Sequence, residues 1–134
     1  MPLLCHLLLR LIINRLLTMF LPSYAAMLKS VNWENYFFLP IDVFLSNTNV
    51  FQPDIVFVAN NNLPIINWNK GIAGSPDLVI EVLLKGNRKT DLTEKKLVYE
   101  QSGVKEYWVI DPETKWCEGF KLTYEKYTSV GEGT

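Results

Sequence analysis

"SPDLVIEVLLKGNRKTDLTEKK", residues 75–96, decides the fold of this chain. It opens with an almost continuous apolar run from Asp77, "DLVIEVLL", the pattern of a strand buried on both faces. The loop "KGNRK" follows, and then a helix with a visible start. Asp91 is the expected N-cap, and Glu94 lies three residues on, as in a capping box. The helix continues through "LTEKKLVYEQS", and Gly103 is placed to end it at C′. "KEYWVID" is the next strand, with Tyr107, Val109 and Asp111 on one face and Trp108 and Ile110 on the other. One residue breaks the pattern. Glu81 sits inside the apolar run, and a buried charge needs a partner.

Working outward, "DPETKW" turns into "CEGFKLTY", the return strand of a hairpin, and "YEKYTSV" adds a further edge strand. Upstream, "PDIVFVA" is a strand whose first position suits Pro53. "YFFLPIDVFLS" gives one or two short strands interrupted at Pro40, and "NTN" at 47–49 is a turn. "NNNLPIINWNKGIAGSP" is a long polar connection with a brief helix or turn near Ile65. Residues 3–20 read as a helix stopped by Pro22. That segment is apolar, but Arg10, Asn14 and Arg15 interrupt it, and a centred arginine costs about 3 kcal/mol on insertion scales. His6, Arg10 and Asn14 recur at i, i+4 and i+8, a narrow polar stripe on a largely buried helix packed on a sheet or a partner rather than a membrane span. The order of elements is that of an α/β (α+β) fold, a single domain over residues 1–134.

With 134 residues, 49% apolar and 20% charged, the chain is suited to one globular core. The formal net charge of -1 gives no global attraction to nucleic acid, so phosphate binding has to come from a local patch or a metal. Cys5 and Cys117 form no framework and no metal-ligand spacing, which fits a reducing, cytoplasmic compartment.

Three acids mark strand positions: Asp54, Asp77 and Glu81. Asp77 and Glu81 share a face but lie ~13 Å apart along the strand, too far to ligate one ion together. If the strands of Asp54 and Glu81 are antiparallel neighbours, Asp54 meets Glu81 and Asp77 falls at the far end. Two converging carboxylates repel unless one is protonated or a cation lies between them. A hard divalent cation, Mg²⁺ by default or Mn²⁺, suits that donor set. The lysine nearest to such a site comes from the next helix. Position 83 is a leucine, Lys85 is ~13 Å along the strand, and Lys96 points ~100° away from Lys95. Lys95 shares a helix face with Tyr99 at i+4. A structural ion pair between Glu81 and Lys95 is the plainer reading of the same residues, and Asp54 alone could be a turn residue. Lys85, Arg88, Lys89, Lys95 and Lys96 form a cluster that could bind phosphates or simply be solvated.

"PD" at 53–54, "PDLVIEVL" and "DLTEKKLVYEQSGVKEYWVIDP" together resemble the Uma-type restriction endonuclease family of the PD-(D/E)XK nuclease superfamily, over about Pro40 to Leu122. "GVKEYWVIDP" is the most specific string. The resemblance implies a restriction-endonuclease-like core, a mixed β-sheet flanked by helices, with a divalent-metal site and DNA as substrate. Asp54 matches the first-motif aspartate, Glu81 the second-motif acid, and Lys95 the lysine this branch carries on the following helix. Asp77 matches a recurrent position, and Tyr99 is a supporting residue on the face of Lys95. Two departures are visible: Leu84 stands where serine is usual, and the chain reads as N- and C-terminally shortened against the family pattern. The expected protein is a metal-dependent DNA endonuclease, a homodimer through its apolar first helix and hairpin, with a non-catalytic interaction module as the alternative.

Overall fold

The structure is a computed structural model and describes residues 36–37, 41–83, 91–111 and 113–133. The helix expected at 3–20, with His6, Arg10 and Asn14, lies outside these residues, as do Lys85, Arg88 and Lys89.

Ten strands form two sheets: β1 (Tyr36–Phe37), β2 (Val43–Phe44), β3 (Val50–Phe51), β4 (Ile55–Phe57), β5 (Ile66–Asn67), β6 (Gly71–Ala73), β7 (Leu78–Val82), β8 (Glu106–Asp111), β9 (Trp116–Thr123) and β10 (Lys126–Gly133). The larger sheet has the order β1-β4-β7-β8-β9-β10, with β7 and β8 parallel and the other neighbours antiparallel. The smaller has the order β3-β2-β6-β5, with β2 and β6 parallel. A 3₁₀ turn over Asn60–Ile65 fills the connection expected to hold a brief helix.

The opening stretch folds as the strand and helix it suggests. β7 alternates its side chains between two cores. Ile80 packs with Ile55, Trp108, Ile110 and Cys117 on one face. Val79 and Leu83 pack on the other with Tyr99, Val104, Tyr107, Val109 and Phe120. A parallel neighbour requires a crossover, and the helical segment between β7 and β8 supplies it. That segment differs from the expected capping box. Asp91–Lys95 form a π-helical turn, and the α-helix proper, α1 (Lys96–Ser102), begins after it with Lys95 at the N-cap position and no side-chain cap. Gly103 ends α1 in the left-handed region at φ 83°, and Val104 N–H donates to Tyr99 O at 3.1 Å, closing the helix end.

At the far edge, Tyr124 and Glu125 both have positive φ, the turn that matches strand twist in a two-residue hairpin, and β10 runs on to Gly133 with a bulge between Ser129 and Gly131. Tyr127 locks this hairpin to the crossover. Its hydroxyl donates to Val104 O at 2.7 Å, and its N–H donates to Glu100 Oε2 at 2.7 Å. Burial, and then the charge of Glu100, push the Tyr127 hydroxyl above its ordinary pKa, so it stays a donor.

The smaller sheet covers the start of the larger one. Val43 and Ile72 bury against Val56 and Val58. In the larger sheet Gly119 is paired with Trp108 across β8 and β9, and a Cβ at Gly119 would overlap the indole ring. Gly119→Ala is expected to lower stability by about 1–3 kcal/mol through overpacking, read as a shifted urea midpoint with an unchanged slope.

Candidate functional site

Glu81 is the centre of the site. Its side chain is 4% exposed, and both oxygens are engaged from the crossover. Tyr99 Oη donates to Oε1 at 2.8 Å, and Lys95 Nζ lies 3.6 Å from Oε2. Lys95 and Tyr99 are one helical turn apart, so one face of the segment delivers both. The π turn ends on Lys95 and sets where that ammonium falls. Tyr99 cannot drift. Its ring meets Phe51 edge-on at 5.4 Å and Tyr107 at 5.2 Å, and Tyr107 stacks at 6.2 Å on both Phe120 and Tyr127.

Asp54 immediately precedes β4. The antiparallel register pairs Ile55 with Ile80, so one residue further Asp54 falls opposite Glu81. Its Oδ2 accepts the N–H of Val82 at 2.7 Å, while Oδ1 makes no hydrogen bond among the described residues. Asp54, Glu81 and Lys95 therefore come together at one end of β7, on three different elements. Two carboxylates on neighbouring strands, one with an uncommitted oxygen, fit a hard cation that keeps most of its water ligands. Among the described residues no group of three or more His, Cys, Asp or Glu side chains gathers around a point that could hold a metal.

Asp77 is at the other end of β7 and is fully occupied there. Its Oδ2 accepts Ala59 N–H at 2.7 Å and the Asn62 amide at 3.2 Å, and Oδ1 lies 3.2 Å from Lys105 Nζ. Burial alone would raise its pKa. The hydrogen bonds from Ala59, Asn62 and Lys105 and the Lys105 charge outweigh that and hold it below the usual carboxylate range.

Two further acids share the row of Glu81, and sequence spacing did not single them out. The register runs Glu81 to Val109, Val109 to Glu118, and Glu118 to Glu132. Burial and the neighbouring Glu132 raise the pKa of Glu118, while Lys96, seated 4.0 Å over the Phe120 ring, pulls it down. Alternation within "WCEGF" gives the face of Glu118, but only the β9–β10 register reveals Glu132 beside it. Trp108 and Tyr107, both buried, are packing residues as expected.

The arrangement has relatives. Among solved structures, the chain is similar to a crystal structure described as "a putative nuclease belonging to DUF820" from Anabaena variabilis ATCC 29413. The TM-score is 0.54 at 22% identity, over 70% of this chain and 52% of that one, so the chain spans about half the length of this relative. No curated protein matches the sequence. A mixed sheet whose parallel pair is bridged by the site-bearing helix defines a restriction-endonuclease-like fold. Within that class, residues 11–133 match the model of the Uma2 family, described as "Putative restriction endonuclease", and the chain belongs to that family.

The arrangements around Asp77 and Glu118 give measurable consequences. The folded pKa of Asp77 lies below its unfolded value near 3.8, so its stabilisation is complete above that pH and is lost as pH falls through the folded pKa. Asp77→Asn is expected to cost about 1–3 kcal/mol at neutral pH, a difference that shrinks below pH ~4 in denaturant titrations. For Glu118 the sign is opposite. A raised folded pKa makes this group a liability as pH rises above about 4.5. Glu132→Gln is expected to stabilise the fold at neutral pH and to have little effect in acid, read from melting temperatures at the two pH values.

Proposed function

We propose that the protein is a metal-dependent endonuclease that hydrolyses phosphodiester bonds of DNA. The observation that supports this reading best is the buried Glu81 carboxylate, held by Tyr99 and Lys95 opposite Asp54. A carboxylate in the core of a strand is costly, and a metal-binding role in a member of this family would account for it.

In this reading Asp54 and Glu81 would hold Mg²⁺ or Mn²⁺, with Asp54 Oδ1 and a Glu81 oxygen as donors. The bound cation would supply charge stabilisation at the phosphate and acidify a water. Lys95 has a side chain 30% exposed, so its ammonium can orient the attacking water and offset charge on the phosphate oxygens. Tyr99 donates its proton to Glu81 and fixes the carboxylate's rotamer. The water oxygen bonds to phosphorus as one P–O ester bond breaks. The leaving oxygen takes up a proton, giving one phosphomonoester and one hydroxyl end.

The rest of the proposal is a single domain over 1–134, acting as a homodimer in the cytoplasm. Its motives are the apolar segment at 3–20 and the location of the substrate. The cysteines do not support that compartment, because Cys117 is disulfide-bonded. Among the described residues no helix is long and apolar enough to cross a membrane. A second reading, a non-catalytic interaction module on the same fold, is favoured by the lack of a third acid around the pair among the described residues.

Cleavage of supercoiled and linear DNA with Mg²⁺ tests the assignment. Glu81→Gln and Lys95→Ala are each expected to lower the cleavage rate by about 100-fold or more, and Tyr99→Phe by less, with circular dichroism unchanged. Cleavage by Glu81→Gln at the wild-type rate sinks the site assignment. Calorimetric titration with Mn²⁺ separates the second reading, which expects no binding.

A further inference from the structure

The helix that delivers Lys95 and Tyr99 is fastened at its C-terminal end by the last hairpin. α1 begins on the π turn without a side-chain cap. Toward its other end Tyr127, on β10, holds it at two points. The Tyr127 hydroxyl donates to Val104 O at 2.7 Å, and the Tyr127 N–H donates to Glu100 Oε2 at 2.7 Å. The Glu100 side chain is only 14% exposed, and Lys126 Nζ stands 3.9 Å from its Oε1 on a side chain that is 80% exposed. An ion pair so open to water contributes little, so the short bond from the Tyr127 N–H is the stronger hold on Glu100.

These points flank the functional face of the helix. Glu100 follows Tyr99 directly, so it leaves the helix about 100° round from it. Val104 closes the helix end, its N–H donating to Tyr99 O at 3.1 Å. A continuous path therefore runs from the hairpin to the carboxylate. Tyr127 Oη donates to Val104 O, Val104 N–H donates to Tyr99 O, and Tyr99 Oη donates to Glu81 Oε1 at 2.8 Å. Contacts on two sides of the axis oppose rotation of the helix, and the bond at Val104 opposes sliding along it. Either motion would shift Lys95, one turn before Tyr99, against Glu81. The Tyr127 ring also packs on Tyr107 at 6.2 Å and Phe120 at 6.3 Å, contacts that do not need the hydroxyl.

We propose that Tyr127 is a positioning residue of the Glu81 site, its hydroxyl and N–H holding α1 where Lys95 and Tyr99 meet the carboxylate. The proposal rests on the nuclease reading and adds to it a control of the site's rate from the last hairpin. Tyr127 acts through α1 rather than on Glu81. What it sets is the geometry in which the ammonium works, and a misplacement of ~1 Å can cost about 100-fold in rate.

The test compares Tyr127→Phe, which keeps the ring and the N–H, with Glu100→Ala, Glu100→Gln and Thr128→Ala. Glutamine keeps an oxygen for the Tyr127 N–H. Thr128 is exposed on the same hairpin, and its hydroxyl meets Thr123 and Lys121 within it. Urea midpoints check that each variant is folded. Hydrogen–deuterium exchange of the amides of 91–99, which needs no activity, is expected to quicken about tenfold or more in Tyr127→Phe and Glu100→Ala, and to stay near wild type in the other two. In DNA cleavage with Mg²⁺, kcat is expected to fall about tenfold or more in the same two variants while KM stays within about twofold. Wild-type exchange in Tyr127→Phe overturns the proposal, whether or not the protein cleaves DNA. Faster exchange with an unchanged kcat also overturns it and leaves Tyr127 a structural residue only. So does a Thr128→Ala variant that matches Tyr127→Phe, since the effect is then a general loosening of the hairpin. An inactive wild type, or cleavage unaffected by Glu81→Gln, instead removes the nuclease reading, and exchange alone then decides whether Tyr127 holds α1.

Discussion

The pairing of Glu81 with Tyr99 and Lys95 is the constraint from which the rest of the arrangement follows. An ionised carboxylate inside a sheet loses several kcal/mol of hydration unless fixed partners replace its waters. Both partners come from one helical face, so the crossover has to land over β7 in one position. The aromatic row then determines where Tyr99 can stand. Phe51 bounds it on one side and Tyr107 on the other, and Phe120 and Tyr127 extend the contact to the last hairpin. The outer strands thus contribute to the geometry of a carboxylate they never touch.

The two ends of β7 show how differently a protein can hold an acid. Asp77 is bound by a backbone N–H, an amide and a lysine at 2.7, 3.2 and 3.2 Å. These contacts tie two elements to the strand: the 3₁₀ turn through Ala59 and Asn62, and the start of β8 through Lys105. Removing any of them loosens the fold. Glu81 accepts a short bond from Tyr99 at 2.8 Å. Its cation stands at 3.6 Å, partly solvated on a flexible stem. The strand carries an acid tied to the 3₁₀ turn and Lys105 at its start and one held from the crossover near its end, although the residues sit four apart on the same face.

Much of this was legible in the sequence because it rests on local periodicity. The almost continuous apolar run gave β7, the alternation in "KEYWVID" gave the two faces of β8, and Gly103 gave the helix end, since its φ of 83° is costly for other residues. Pairing Asp54 with Glu81 needed one further assumption, antiparallel neighbours, and the register satisfies it. Lys95 emerged by elimination of its neighbours. What sequence could not give depends on contacts between distant segments. The π turn replaces the expected capping box, and a widened turn has no periodic signature. The division into two sheets was invisible, because strands of two or three residues are too short to display a face. Glu132 becomes a neighbour of Glu118 only through the β9–β10 register.

The dipeptide Pro53-Asp54 acquires a physical meaning from the same geometry. Leu83 N–H donates to Ile110 O, toward β8, and successive N–H groups of a strand point to opposite sides. Val82 N–H therefore points toward β4. The paired part of β4 begins only at Ile55, and the residue before Asp54 is a buried proline that cannot extend the ladder with a donor of its own. The Asp54 carboxylate takes over, accepting Val82 N–H with Oδ2. An aspartate immediately after a proline thus satisfies the backbone of the neighbouring strand with one oxygen, at the register position opposite Glu81. An asparagine there would make the bond without the charge.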